Sequence, residues 1–278
     1  MRNMYDDFDL ALPQGRVRAR RWGRDDAPVV LCVHGLTANL TAFSWLAEGI
    51  VRRGLQVVAI DCRGRGASEV TAVGSYGLAS HARDVVDIAH QLGVDELDLV
   101  GWSMGALVGI AVARQAAPLL RRLVLIDHVG PMDPEAIALV EASMGRLDAV
   151  VNDPDDYVEA VRSRGVIQPW TPFWDDHYRY ELVPTGAGTW TPSSSAQACA
   201  EDLADAAALD WPTAWSALTM PTIVVRATDL MAGTRLVSDE ALDRFSHAVP
   251  AAAVVQATAN HYSVMTDPTT LQAIVDTL

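Results

Sequence analysis

The chain has 278 residues and a formal net charge of −14, from 21 basic and 35 acidic side chains, and half of it is apolar. That suffices for one large α/β domain with a deep core, and the negative charge disfavours nucleic acid and anionic membrane surfaces as partners. Every basic residue is an arginine, and the lack of lysine excludes Schiff-base chemistry, a lysine-linked pyridoxal cofactor and a Walker-type phosphate loop.

The N-terminal stretch MRNMYDDFDLALPQG is acidic and lacks an apolar h-region, which argues against secretion. No apolar run reaches the roughly eighteen residues that a membrane helix needs. Cys32, Cys62 and Cys199 are widely spaced and form no CxxC pair, as expected of reduced thiols in a cytoplasmic protein.

Short apolar runs predict strands buried on both faces at Val29–His34 (VVLCVH), Leu55–Ile60, Leu97–Trp102 (LDLVGW) and Leu123–Ile126. Between them, helical patterns cover Thr41–Arg53, Gly77–Leu92 and Met104–Ala117, the last closed by Pro118. This alternation predicts a doubly wound parallel sheet. From Pro131 to Thr219 the rhythm breaks. No convincing β-run occurs there, and Trp170, Trp174, Trp190, Trp211 and Trp215 accumulate among helical stretches and turns. Strands resume at Thr222–Arg226 and Ala253–Gln256, and a helix is predicted over Asp267–Leu278. The division that follows is an α/β core of residues 1–130 and 220–278, interrupted by a mostly helical cap over residues 131–219.

One stretch carries chemistry. In ELDLVGWSMGALVG, Ser103 stands between two glycines where an apolar strand becomes a small-residue helix. A serine hydroxyl is a poor nucleophile without a base, but a sharp strand-to-helix turn lifts it above the sheet at a helix N-terminus. Among the seven histidines, His261 in TANHYSVMTDP follows the last strand, where a loop can return to that turn. His34 reads as a backbone-shaping residue of the HG turn, and His81 and His90 as solvated or capping residues of a helix.

An acid must orient the imidazole. Asp229, after the penultimate strand, is favoured, with Asp127, after the preceding core strand, as the alternative; Asp61 in DCRGRGAS suits the loop that follows it. Oxyanion donors are expected from the backbone N–H of Met104, after the nucleophile, and of Leu36 in VHGLTAN.

In order and spacing, VHGLTAN, DCRGRGAS, GWSMGA, RATD and NHYSV resemble the α/β-hydrolase superfamily over about Val17–Pro131 and Pro221–Leu278. The resemblance implies a mostly parallel sheet of about eight strands with a cap inserted after the sixth. It also implies a Ser103–Asp229–His261 triad and oxyanion donors at Leu36 and Met104. Ala106 stands where that family often has a further glycine.

Serine at the elbow argues against dehalogenase or epoxide-hydrolase chemistry, which needs a carboxylate there. Acyl transfer remains, with a carboxylic ester or lactone of a small, largely apolar molecule as the leading substrate. Hydrolysis of a C–C bond in a ring-cleavage β-diketone would use Arg162, Arg164 or Arg179 to grip carboxylates. A thioesterase and a non-catalytic ligand-binding homologue are the other readings. Trp102, Trp170, Trp174 and Trp190 are the aromatic candidates for the substrate pocket, against the simpler reading that the cap rings form the cap's own core. Met132, Met144 and Met231 carry the same two readings. The histidines are scattered, so no metal and no cofactor are expected.

Overall fold

The computed structural model describes residues 5–278; residues 1–4, which open the acidic N-terminal stretch, lie outside it. In chain order the first part of the molecule comprises β1 (Tyr5–Leu12), β2 (Gly15–Trp22), β3 (Val29–Val33), α1 (Ser44–Val51), β4 (Gln56–Ile60), α2 (Leu78–Leu92), β5 (Leu97–Trp102), α3 (Met104–Ala116) and β6 (Leu120–Ile126). There follow α4 (Pro134–Met144), α5 (Pro154–Arg162), α6 (Pro172–Tyr180), β7 (Leu182–Pro184), β8 (Trp190–Pro192), α7 (Ala196–Ala207) and α8 (Trp211–Trp215). The chain then returns to the sheet with β9 (Thr222–Ala227), α9 (Asp239–Ala248), β10 (Ala253–Ala257) and α10 (Pro268–Thr277).

Eight strands form one sheet in the order β1-β2-β4-β3-β5-β6-β9-β10. From β4 to β10 all neighbours are parallel, while the β1–β2 hairpin adds an antiparallel edge against β4. Every residue of β3, β4 and β5 is buried. Strand periodicity sends successive side chains to opposite faces. Leu31 and Val33 thus join one apolar cluster with α2 and α3, and Val30 and Cys32 join another with α1 and α10. Tyr157, Val161, Trp174 and Tyr178 of the α4–α8 segment extend the second cluster.

Two strand pairs and one helix were not anticipated. β1 and β2 are half-exposed and alternate instead of running apolar: Leu10, Leu12, Val17 and Ala19 point inward, while Arg18 pairs with Asp9 across the strands at 2.7 Å. The amphipathic α9 starts at Ser238, whose hydroxyl caps the Ala241 N–H. The segment between β6 and β9 also holds the short antiparallel pair β7–β8, extended by a bridge from Val151 to Trp190. At its end, α8 leans on the sheet layer: Trp215 donates its indole N–H to the Val129 carbonyl at 2.7 Å and meets Phe245 edge-on. Among the described residues, no helix is long and apolar enough to cross a membrane.

Candidate active site

Ser103 follows β5 and is the N-cap residue of α3, with a left-handed φ of 56°. For a non-glycine residue that region is strained, and it persists only where its surroundings enforce it. Here the Ser103 N–H is tied to the Ile126 carbonyl at 2.9 Å, and the Ser103 carbonyl accepts from Ala106 at 2.9 Å. The flanking glycines are required by space. A Cβ on Gly105 would lie 1.9 Å from the Val33 carbonyl oxygen, and one on Gly101 would lie 2.2 Å from that of Gly105. Both obstacles are backbone and cannot move aside.

His261 lies in the loop between β10 and α10. The Asn260 amide oxygen accepts the N–H groups of Tyr262 and Ser263, both at 3.0 Å, which sets the turn. Trp102 donates its indole N–H to the His261 carbonyl at 3.0 Å, and its ring lies against the imidazole with centroids 5.4 Å apart. Trp102 therefore supports the histidine loop as well as lining the cavity beside Ser103.

The carboxylate that meets the imidazole is Asp127, not Asp229. His261 Nδ1 is 2.8 Å from Asp127 Oδ2, and both groups are buried. The other oxygen, Oδ1, accepts the Ala227 N–H at 2.9 Å, so the carboxylate bridges from the end of β6 over the end of β9. Asp127 itself has a left-handed φ of 50°. The Asp229 backbone N–H donates to the Ala259 carbonyl at 2.9 Å, while its side chain is exposed. Nδ1 is engaged by Asp127, which leaves Nε2 as the ring nitrogen outside that contact. No Ser103 Oγ to Nε2 hydrogen bond is formed; such contacts often tighten only with substrate.

The loop after β3 runs beside the serine: a Cβ on Gly35 would lie 3.1 Å from Ser103 Cβ. His34 accepts the Cys62 N–H on Nε2 at 2.9 Å, so its proton resides on Nδ1, 2.7 Å from the Gly35 carbonyl. That bond orients the very peptide plane whose other end is the Leu36 N–H. Met104 provides the first N–H of α3, which has no intrahelical acceptor. Asp61 ties the neighbouring loops together, accepting from Leu40 N–H at 2.7 Å, Ala67 N–H at 2.8 Å and the Tyr180 hydroxyl at 2.8 Å. His81, expected at a solvated or capping place, is buried and lies 3.0 Å from both carboxylate oxygens of Asp202.

A cavity of about 180 Å³ opens above Ser103 and His261. Its walls are apolar side chains of α4 and α5 and the following loop, together with Met231, and two guanidinium-bearing residues, Arg146 and Arg164, also line it. Arg146 is buried beside Glu181, whereas Arg164 is exposed and makes no ion pair among the described residues. Arg162 and Arg179, read with Arg164 as possible carboxylate grips, do not line the cavity; Arg179 pairs with Asp155.

Three of the aromatic candidates are also not cavity residues. Trp174 is fully buried and packs edge-on to Phe173 and Tyr262; Trp170 stacks on Tyr178; Trp190 sits on the bridge to Val151. They build the interior of the segment between β6 and β9, because rings of this size are buried most readily against one another. Met132 and Met144 line a separate cavity beside His128. Arg146 was missed in the sequence because nothing in GRLDAV distinguishes it from a surface arginine. Among the described residues, no cluster of three or more His, Cys, Asp or Glu side chains could hold a metal ion.

His34, His128 and His177 are buried, and burial lowers each imidazole from its ordinary 6.5 to about 3. A histidine held below its unfolded value contributes stability that is complete above pH 6.5 and is lost as pH falls towards 3. Each site then costs about 1.4 kcal/mol per pH unit. Asp61, raised to about 6 by burial, and Glu181, which burial also raises above its ordinary value, act oppositely and offset part of that loss. Urea unfolding followed by tryptophan fluorescence should show stability falling by about 1–3 kcal/mol per pH unit below pH 6. A flat profile from pH 7.5 to 4.5 would contradict the neutral, buried state of these rings.

An α/β-hydrolase-fold family model matches residues 28–268. The chain is 27% identical over 276 residues to 2-(acetamidomethylene)succinate hydrolase of Mesorhizobium japonicum, covering 94% of this chain and 92% of the relative. A crystal structure of E-2-(acetamidomethylene)succinate hydrolase superposes with a TM-score of 0.85 at 25% identity, covering 98% of both chains. A 3-hydroxybutyrate-oligomer hydrolase of Cupriavidus necator is 34% identical over 133 residues, 47% of this chain and 45% of that relative. The chain thus matches somewhat less than half the length of that relative.

Proposed function

Because the chain belongs to the α/β-hydrolase family, we propose that it is a serine hydrolase working through an acyl-enzyme on a small carboxylic ester or lactone. Ser103 is the nucleophile, His261 the general base, Asp127 the acid that orients it, and the N–H groups of Leu36 and Met104 are the oxyanion donors. The observation that carries this reading is the buried 2.8 Å contact between His261 Nδ1 and Asp127, beneath the cavity that Ser103 and His261 line.

In the first half-reaction His261 Nε2 takes the Ser103 proton as Oγ attacks the acyl carbon. The imidazolium formed is stabilised by Asp127, and the tetrahedral oxyanion by the two N–H donors, each worth about 3–4 kcal/mol. His261 then returns the proton to the leaving group. Water, activated by the same base, releases the acid in the second half.

A cavity of about 180 Å³ suits a small molecule, and Arg146 and Arg164 favour one bearing a carboxylate over a wholly apolar one. The same arginines support a second reading, cleavage of an amide on a small dicarboxylate. That reading accords with the full-length likeness to 2-(acetamidomethylene)succinate hydrolase.

A panel of p-nitrophenyl butyrate, monomethyl succinate, γ-butyrolactone and an N-acetyl enamine dicarboxylate separates these substrates. Arg164→Ala should raise KM for the anionic members about tenfold and leave the neutral ester within about twofold. Equal effects on both classes would remove the carboxylate. Failure of every member, with no labelling of Ser103 by a fluorophosphonate, would remove the serine-hydrolase mechanism.

A further inference from the structure

Two successive carbonyls of the loop that carries the Leu36 N–H each receive a buried arginine. Arg65, from the loop after β4, donates Nε–H to the Leu36 carbonyl at 3.0 Å and Nη1–H to the Arg63 carbonyl at 3.1 Å. Its Nη2 meets Asp202 Oδ2 of α7 at 2.5 Å and lies 4.0 Å from Met104 Sδ, beside the other donor residue. Arg65 and Asp202 are both essentially without solvent exposure, at 0% and 1%. On the far side, Arg146 donates Nη2–H to the Thr37 carbonyl at 2.8 Å, and its Nη1 lies 3.0 Å from Glu181 Oε1.

With His34 on the Gly35 carbonyl, three consecutive carbonyls are held, and with them the rotations that aim the Leu36 N–H. A guanidinium suits this use because its planar fork fixes direction as well as distance. Both carboxylates, Asp202 and Glu181, come from the segment between β6 and β9. His81 and the Gly77 N–H hold Asp202 as well, the latter at 2.6 Å.

We infer that Arg65 and Arg146 are positioning residues for the oxyanion loop, and that Asp202 and Glu181 make its geometry depend on how the cap is seated. The inference rests on the serine-hydrolase reading above. Isolated burial of an arginine is costly. The Arg65–Asp202 pair spans 137 residues of sequence and ends on a carbonyl next to an oxyanion donor, a placement that a purely stabilising pair would not need. Arg146 also faces the cavity, so Arg65 gives the cleaner test.

Arg65→Lys keeps the charge but loses the fork, and Asp202→Asn keeps the shape but loses the countercharge. Both would be assayed with p-nitrophenyl butyrate, with a phenylboronic acid that forms a tetrahedral adduct on the serine, and by thermal melting. In Arg65→Lys, kcat should fall about 10- to 100-fold with KM within about threefold. Affinity for the boronate should fall in parallel, while affinity for butyrate, the product acid, stays unchanged. Asp202→Asn should show the same pattern at roughly 3- to 10-fold.

A folded Arg65→Lys with unchanged kcat, or with KM alone altered, would overturn the inference. Loss of a cooperative melt in both variants would also overturn it, by assigning the pair to fold stability. A wild-type protein that neither turns over ester nor takes a fluorophosphonate would instead fail the serine-hydrolase reading, and this inference with it. An active, labelled wild type confines any failure to Arg65.

Discussion

Ser103→Ala should lower kcat for p-nitrophenyl butyrate by roughly 10⁵-fold or more while leaving the fold intact. The size of the loss reflects the triad acting as a unit: once the nucleophile is gone, the base and its acid have nothing to activate, and only oxyanion donors and binding remain. The fold should survive because alanine removes a single oxygen from a position that already holds a side chain at φ 56°. The backbone bonds from Ser103 N–H to Ile126 and from Ala106 to the Ser103 carbonyl are untouched. Circular dichroism and the melting temperature should therefore match the wild type. Retention of full ester turnover would remove Ser103 from the mechanism.

Asp127→Asn should cost about 10³- to 10⁴-fold in kcat, and Asp229→Asn no more than about twofold. At position 127 an amide oxygen can still accept the Ala227 N–H, so the end of β9 keeps its anchor. The amide NH₂ then faces His261 Nδ1 and forces the imidazole proton onto Nε2, the nitrogen that must accept from serine. The catalytic tautomer is lost with little change of shape. Asp229 is exposed and contributes only its backbone N–H to the histidine loop, which asparagine retains. Steady-state kinetics of the two variants decide between them, and a large loss at 229 with none at 127 would return the acid to the penultimate-strand position.

Much of the core was legible because its signals are local. The β3, β4 and β5 runs are buried on both faces and need no polar alternation, so they stand out as continuous apolar stretches. The elbow is legible for a steric reason: only glycine fits at 101 and 105, where backbone atoms lie at 2.2 and 1.9 Å from a would-be Cβ. The β1–β2 hairpin was missed because an edge with one solvated face carries arginine and aspartate at alternate positions. The pair β7–β8, three residues per strand, is too short to impose a period.

The sequence by itself determined the strand-to-helix turn at Ser103, the HG loop and the place of His261 after the last strand, because each depends on residues adjacent in the chain. It did not determine which aspartate serves that histidine. Asp127 and Asp229 both follow strands that are neighbours in the sheet, so chain order suits either; what separates them is the direction each side chain leaves its backbone. β6 ends so that Asp127 turns inward over β9, whereas the backbone at Asp229 is tied to Ala259 with the carboxylate outward. Likewise, only the tertiary structure decided that Trp170, Trp174 and Trp190 form an interior while Arg146 reaches the cavity. Side-chain direction and long-range pairing are set by packing between elements, and no local pattern encodes them.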